Sequence, residues 1–206
     1  MKTHFIQLLS GSVKPLLKLK GFSKKGLSFY RRLADLIFII NFQNSQGNTS
    51  AQTKFYVNCG IYSMRIDEVI GKAPCREPKE YECHFRKRIS ALVNAAEDVY
   101  LVDAHTDLQV MGSGLLADLE RVVGVFDDIH STADLVELMI EENGLNNYLE
   151  LFEFLLLTGN LNGLRLHVQT LQQTFGKERR WSIFEEQMLN VLKVHNTGES
   201  LNDILK

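Results

Sequence analysis

Residues 21–61 constrain the fold of this chain more than any other stretch. The stretch contains three runs rich in apolar and aromatic residues, and a Gly-, Asn- and Ser-rich linker and short polar breaks separate them. The run 36–43 is apolar at every position to Ile40 and then alternates, which predicts a strand buried on both faces at its start and on one face at its end. In the run 54–62, apolar residues at 55, 57, 59 and 61 alternate with Tyr56, Asn58 and Tyr62. An alternation with a period of two indicates strands with two different faces. The stretch therefore predicts the start of an antiparallel sheet with one apolar face and one polar face.

Four segments have the alternation of strands and lie between residues that favour turns: 27–33, 36–43, 54–62 and 80–89. The links between them are short, which favours an antiparallel meander, and 99–102 adds a possible edge strand. Lys24, Lys25 and Gly26 are predicted to form a turn. Residues 3–20 have helical spacing, interrupted by Ser10, Gly11, Ser12 and Pro15, so we expect a kink or a restart near Ser12, and a C-terminal glycine at Gly21. We expect this helix to pack on one face of the sheet.

Beyond residue 89 the apolar period changes from two to about 3.6, which indicates helices. The predicted helices cover 108–126, 131–142, 147–157, 160 or 162 to 175, and 182–194. The predicted fold class is therefore α+β, with an antiparallel sheet of four to five strands, an N-terminal helix and a helical C-terminal half. We predict an α+β domain over 1–127 and a helical extension over 128–206, packed together as one unit.

The composition is that of an ordinary globular protein, with 45% hydrophobic and 23% charged residues among 206. No apolar run is long enough to span a bilayer, and the N-terminus lacks the apolar core of a signal peptide. The three cysteines contain no CxxC pair, which favours free thiols in a reducing compartment. We expect a cytoplasmic protein with no membrane association, no bound metal and no cofactor.

Several short motifs occur together in the front half: KPLLKLKGFSKKGLSFYRR at 14–32, IINFQNSQ at 39–46, KFYVNCGIY at 54–62 and CHFRKRI at 83–89. In order and spacing they resemble the bacterial family called domain of unknown function 4304, over roughly residues 5–125. The resemblance implies a small α+β domain and no known reaction. It also implies a role for proteins of this sort as immunity or partner-binding proteins in bacterial conflict systems.

The polar face of the predicted sheet is the candidate ligand site. Tyr30 and Arg88 belong to it, and the residues we predict to bind a ligand are Arg32, Asn41, Gln43, Tyr56, Asn58, His84 and Arg86. These side chains are rich in donors and cations, and arginine can hold a phosphate or carboxylate with two parallel hydrogen bonds. Tyr30 or Tyr56 could also stack on a nucleic-acid base. The alternative is a solvated outer sheet face, which alternates in the same way.

Other chemistry has weaker support. Asp103, His105 and Asp107 resemble a ligand cluster, but loop polarity and capping of the next helix by Thr106 explain them more simply. Cys59 is predicted to be a core thiol on the apolar face rather than a nucleophile. No nucleotide-binding or nucleophile motif is present, so we assign no catalytic residue.

The charges are distributed unevenly. Residues 1–32 contain eight Lys or Arg and no Asp or Glu, whereas 98–153 contain thirteen acids and one basic residue, Arg121. The basic set comprises Lys14, Lys18, Lys20, Lys24, Lys25, Arg31 and Arg32, and either stretch can also be ordinary solvated surface.

Our leading hypothesis is a non-catalytic interaction protein, immunity-like, whose acidic stretch contacts a basic partner such as a nuclease toxin. The alternative is an anion- or nucleic-acid-binding module that uses the polar sheet face. A pI of about 6.3 disfavours nucleic acid. A hydrolase without a recognisable motif is the third possibility.

Overall fold

The structure, a computed structural model, describes residues 2–197 and 200–205. The chain forms two compact units, each of which is discontinuous in sequence. The first contains residues 1–62 and 77–131, and the second contains 63–76 and 132–206. Among the helices of the described residues, none combines the length and apolar composition needed to cross a membrane.

The first unit opens with a single helical segment that changes its hydrogen-bonding pattern midway. It consists of α1 (Lys2–Leu8), a π-helical turn (Leu9–Val13) and α2 (Lys14–Leu19). Pro15 lies in the first turn of α2, where its missing N–H costs least. The interruption predicted around Ser12 is thus a π-turn. The segment ends as predicted at Gly21, which has φ +83°, and the Phe22 N–H donates to the Leu17 carbonyl at 2.8 Å.

The sheet of this unit has six strands: β1 (Ser23–Lys25), β2 (Ser28–Leu33), β3 (Leu36–Asn44), β4 (Thr53–Ser63), β5 (Phe85–Arg88) and β6 (Tyr100–Val102). The spatial order is β1-β2-β3-β4-β5, so the first five strands form the predicted meander. β6 pairs with β4 at residues 53–55, whereas β5 pairs with β4 at 58–61. Both therefore lie along the same edge of β4.

Helices cover the apolar face of the sheet. The ring of Phe5 in α1 lies 4.9 Å from that of Phe55 in β4. The ring of Phe126, in α5 (Leu108–Asp127), lies 5.1 Å from that of Phe38 in β3. A short helix, α4 (Ile89–Val93), packs against α5. The core of the unit thus lies between the helices and one sheet face, which leaves the other face to be considered as a site.

The second unit is helical. Its elements are α3 (Met64–Val69), α6 (Thr132–Glu142), α7 (Tyr148–Leu157), α8 (Leu161–Phe175), α9 (Trp181–Val194) and α10 (Leu201–Leu205). The central helix is α7, which packs against α3, α8 and α9 and buries Leu151, Phe152 and Leu155. A helix that is apolar on most of its surface needs neighbours on several sides.

The predicted α+β class, with its antiparallel sheet, N-terminal helix and helical C-terminal half, is confirmed. Two strand predictions are corrected. β1 occupies part of the predicted Lys24–Gly26 turn, because the turn itself lies at Gly26 and Leu27. The strand predicted over 80–89 is only β5, because residues Glu80–Glu82 form a 3₁₀ turn. There the Glu82 carboxylate accepts a hydrogen bond from the Lys79 N–H at 2.6 Å, and such local bonds compete with strand pairing.

Two helix ends also differ from the prediction. α9 begins at Trp181, one residue before the start of the helix predicted over 182–194. No helix is predicted beyond residue 194, but the structure contains α10 there. Its first turn is closed by Ser200, whose N–H and hydroxyl both donate to the Asp203 carboxylate, at 3.1 and 2.6 Å.

Candidate functional site

The strand register shows which predicted site residues share a face. Ser28 of β2 opposes Asn41 of β3, and Asn58 of β4 opposes Arg88 of β5. Directly opposed residues of antiparallel strands lie on the same face. The side-chain amide of Asn58 donates to Gln43 Oε1 at 2.9 Å, which joins the two strand pairs on one face. By alternation along the strands, this polar face carries Tyr30, Arg32, Asn41, Gln43, Tyr56, Asn58, Arg86 and Arg88.

The polar face is not open over its whole area. Ile37 and Ile39 share it with Asn41, and both are fully buried. The 3₁₀ turn at Glu80–Glu82 packs against β3. Just before that turn, Glu77 forms an ion pair with Lys25 of β1. The segment that leads into β5 therefore lies against the sheet, and the face is not one continuous ligand surface.

Arg86 is already engaged by a carboxylate of its own unit. Its Nε and one terminal nitrogen donate to the two oxygens of Glu80, at 3.0 and 3.4 Å. The Glu80 side chain is only 10% exposed. A two-point contact of this kind fills the geometry that arginine would use to hold a bound anion.

Most of the other predicted residues also have partners inside the unit. The Asn41 amide donates to the Ser28 hydroxyl at 2.8 Å. The guanidinium of Arg88 lies 3.9 Å from the centre of the Tyr56 ring and 3.4 Å from an Asp98 oxygen. The cation–π contact occupies the face of Tyr56 on which a base would stack.

His84 and Arg32 lie at opposite extremes of accessibility. His84 is 4% exposed, and its ring stacks on that of Tyr62 with centroids 5.0 Å apart. Arg32, near the end of β2, is exposed to solvent. The predicted residues thus lie on or beside one sheet face. Most of them contact another side chain of the same unit, and they do not surround an open ligand pocket.

The Asp103, His105 and Asp107 group has a structural role. The Asp103 carboxylate accepts hydrogen bonds from the His105 N–H and the Thr106 hydroxyl, at 2.8 and 3.0 Å, and these bonds lower its pKa. Asp107, rather than the predicted Thr106, caps α5 by accepting from the N–H groups of Gln109 and Val110. In the part of the chain that the structure describes, no three His, Cys, Asp or Glu side chains are grouped to hold a metal ion.

The two strand-associated thiols are buried. Cys59 lies on the apolar face as predicted and is fully buried, and burial raises its pKa. Burial likewise raises the pKa of Cys83 well above its usual value. A thiol that stays protonated at neutral pH is a poor nucleophile, so both cysteines suit packing rather than catalysis.

The helical unit contains an apolar groove of about 520 Å³, which we call the helical groove. Its walls come from α3, α6, α7 and α8, and its apolar lining includes Val136, Ile140, Phe154 and Leu166. Leu166 is 53% exposed although it is apolar. Leu157 and Leu161, which flank the connection from α7 to α8, are exposed as well. This volume lies in the range of natural binding pockets.

Negative charge lines one side of the helical groove. Glu137 of α6 is part of its lining, and Glu141 lies one helical turn further on. Both side chains belong to exposed residues. α6 contains four acidic residues and no Lys, Arg or His. The groove therefore combines an apolar floor with an acidic rim, next to Arg65, which forms a long ion pair of 3.9 Å with Glu68.

A family model described as domain of unknown function (DUF4304) matches residues 13–128. The matched range is more than half of the 206 residues. The chain belongs to this family. The DUF4304 match contains all six strands together with α5, and helices α6 to α10 lie beyond it. No curated protein and no solved structure matches the chain.

Sequence reasoning about the DUF4304 region missed the carboxylates that neutralise the polar face. Glu80 and Arg86 are six residues apart, so in the strand predicted over 80–89 they point to the same face, and this placed a carboxylate on the polar face. The 3₁₀ turn that brings Glu80 back to Arg86 was not expected. The helical groove was missed for a different reason. Val136, Ile140 and Phe154 have the spacing of ordinary core residues, and only the packing of separate helices shows that a depression remains above them.

Proposed function

We propose that the protein is a non-catalytic binding protein whose helical groove takes a basic, amphipathic segment of a partner protein. The observation that supports this most is the combination, in one groove, of an apolar floor with the acidic rim of α6. Amphipathic helices commonly bind in apolar grooves of this kind, with anchors at i, i+3 or i+4, and i+7.

The apolar part of the proposed contact comes from Leu166 and from its neighbours in the groove. A docked leucine or phenylalanine would cover Leu166, which is half exposed, and reach the nearly buried Val136 and Phe154. Burying one such side chain contributes about 1.5–3 kcal/mol. Association also costs translational freedom and side-chain ordering, so a few anchors correspond to a dissociation constant on the order of micromolar.

The electrostatic part comes from α6. Glu137 and Glu141 project from one side of the helix at adjacent turns, and α6 carries no positive charge to neutralise them. A lysine or arginine placed one turn from an apolar anchor would meet this rim. Complementary charge raises the association rate and disfavours acidic competitors. The acidic rim is therefore the feature that selects a basic segment over a neutral one.

An immunity role is one form of this function. A nuclease toxin carries a basic surface because it must bind phosphate groups, and an acidic groove can cover such a surface. The alternative use of the polar sheet face for anions has less support, because Arg86 and Arg88 each have a carboxylate within hydrogen-bonding distance.

The test uses synthetic peptides and the full chain. The probe is a helical peptide with leucines on one face and lysines elsewhere. Two control peptides have the same leucines with glutamates, or the same composition in an order that disperses the leucines. We expect binding of the basic amphipathic peptide alone, with amide chemical-shift changes on α6 and α8.

Matched variants separate the groove from general surface charge. The double variant Glu137→Lys/Leu166→Asp changes the groove, and Glu186→Lys/Ile183→Asp makes the same changes on exposed positions of α9. We expect the groove variant to lose at least about tenfold in affinity, equivalent to about 1.4 kcal/mol, and the control variant to bind almost normally. Equal losses in both variants, or equal binding of the dispersed peptide, would overturn the proposal.

A further inference from the structure

The structure brings three lysines of the basic N-terminal stretch around one depression in the first unit, which we call the lysine groove. Lys14 and Lys18 lie one turn apart on α2, and Lys24 lies on β1. Phe22 and Phe29 contribute the apolar part of the lining. The groove has a volume of about 560 Å³. Lysines that are ten positions apart in sequence thus line one depression.

The lysine groove has no carboxylate in its lining. Two other cations of the same basic stretch do have acidic partners: Lys25 pairs with Glu77, and Arg31 lies 2.6 Å from Asp127. For Lys14, Lys18 and Lys24, the described residues show no ion pair within 4 Å. Lys25 and Arg31 are therefore neutralised by acidic partners, whereas the three groove lysines keep their positive charge.

The helix dipole explains the position of only one of the three groove lysines. Lys18 lies in the last turn of α2, where a positive charge complements the helix dipole. Lys14 is at the start of α2, and Lys24 is on a strand, so neither gains from that effect. Three like charges around one depression repel one another, and this repulsion weakens the free protein unless an anion occupies the space.

We propose that the lysine groove binds a small molecule carrying two or more phosphate groups, which Lys14, Lys18 and Lys24 hold. A phosphate monoester carries about −1.5 to −2 charges at neutral pH, so two phosphates balance three lysines. Lysine acts on phosphate as a point charge and does not need the two-point geometry of arginine. The volume is that of a small-ligand pocket.

The charge of the whole chain favours a small anion over a long one. The net charge is −2, and thirteen acids lie between residues 98 and 153. A long nucleic-acid strand gains little attraction from a chain with a negative net charge, whereas a compact phosphate compound needs only the three lysines.

Calorimetric titration of the full chain tests the proposal with pyrophosphate, ATP, adenosine and a single-stranded DNA oligonucleotide. We expect pyrophosphate and ATP to bind and adenosine not to bind, with amide shifts confined to α2, β1 and the Gly26 turn. Affinity should fall as salt is raised, because exposed charges are screened.

Two triple variants with the same loss of charge provide the control. Lys14→Gln/Lys18→Gln/Lys24→Gln removes the groove cations, and Lys20→Gln/Lys54→Gln/Lys177→Gln removes three lysines that do not line the groove. We expect the first to weaken pyrophosphate and ATP binding at least tenfold and the second to weaken it less than twofold.

Three results would overturn the proposal. They are an absence of pyrophosphate and ATP binding to the unmodified chain, equal losses in the two triple variants, and tighter binding of the oligonucleotide than of ATP. The last result would assign the groove to nucleic acid instead. All six lysines are on the surface or partly exposed, so both variants should fold, and circular dichroism verifies this.

Discussion

The guanidinium of Arg86 donates two hydrogen bonds to the carboxylate of Glu80, at 3.0 and 3.4 Å. Glu80 lies in the 3₁₀ turn that precedes β5, six residues before its partner. The sequence predicts that Arg86 binds a ligand. In the structure its charge is instead paired with Glu80, and the pair holds the turn against the sheet. It also makes a prediction about stability.

Glu80→Gln should destabilise the protein by about 1–2 kcal/mol, because the arginine loses its counter-charge in a poorly hydrated site. The side chains of Glu80 and Arg86 are 10% and 35% exposed, so water compensates only partly. Urea unfolding at neutral pH measures the change. Glu77→Gln is the matched control, since its pair with Lys25 is about 60% exposed on both sides and should have no resolvable effect. Equal destabilisation by the two variants would contradict the prediction.

Gly60→Ala should destabilise the first unit by about 1–3 kcal/mol through overpacking. A Cβ atom added to Gly60 would lie 2.7 Å from Cys83 Sγ and 3.0 Å from Cys83 Cβ, both of which are buried. Cys83→Ala removes the nearer of these atoms. The double variant should therefore lose less stability than the sum of the single variants, as denaturant unfolding of all four proteins would show. Strict additivity would mean that the two positions do not clash.

His167→Gln should flatten the pH dependence of stability between about pH 6.5 and pH 4. His167 is buried in α8, and burial lowers its pKa to about 4, although its Nε2 lies 3.0 Å from the Tyr148 carbonyl oxygen. Since the folded pKa is below the unfolded one, the unfolded state binds the extra proton. The stabilisation by neutral His167 is present above pH 6.5 and is lost as the pH falls toward 4.

The size of this effect is about 2–3 kcal/mol at pH 4. The measurement is the urea midpoint of both proteins at several pH values, and the difference between them isolates His167 because the carboxylates titrate in both. Parallel pH profiles would show that His167 is not buried as a neutral ring.

Asp107→Ala should cost about 1 kcal/mol by removing the cap of α5. The Asp107 carboxylate accepts hydrogen bonds from the N–H groups of Gln109 and Val110, at 2.9 and 3.1 Å. Asp107→Ser retains an acceptor and should leave the free energy of unfolding almost unchanged. Thermal unfolding of both variants and of the unmodified chain measures the difference. If alanine and serine are equivalent at this position, the cap does not contribute.

Local sequence determined the longer strands of the sheet, β2 to β4, and most helices. The period of two in 36–43 and 54–62 predicts strands, and it sets Phe38 and Phe55 on the face opposite to Asn41 and Asn58. The glycine at position 21 stops the first helical segment because it adopts a positive φ at little cost. Such signals act over a few residues, so they can be recognised along the chain.

Local sequence did not reveal β1 or α10, because each is short. β1 has three exposed residues, and it is a strand only because β2 pairs with it. α10 has five residues and depends on its contacts with α8 and α9. In such elements tertiary contacts outweigh weak local preferences.

The charges of this protein could be counted from its sequence, but their pairing could not. Alternation alone predicted that Arg32, Asn58 and Arg86 share a sheet face, since side-chain direction follows from strand periodicity. Only the tertiary structure decided that Glu80 engages Arg86, and that Lys14, Lys18 and Lys24 surround one groove without a carboxylate. The reason is physical: a strand sets the direction of a side chain, whereas its electrostatic partner comes from whichever distant segment the fold packs beside it.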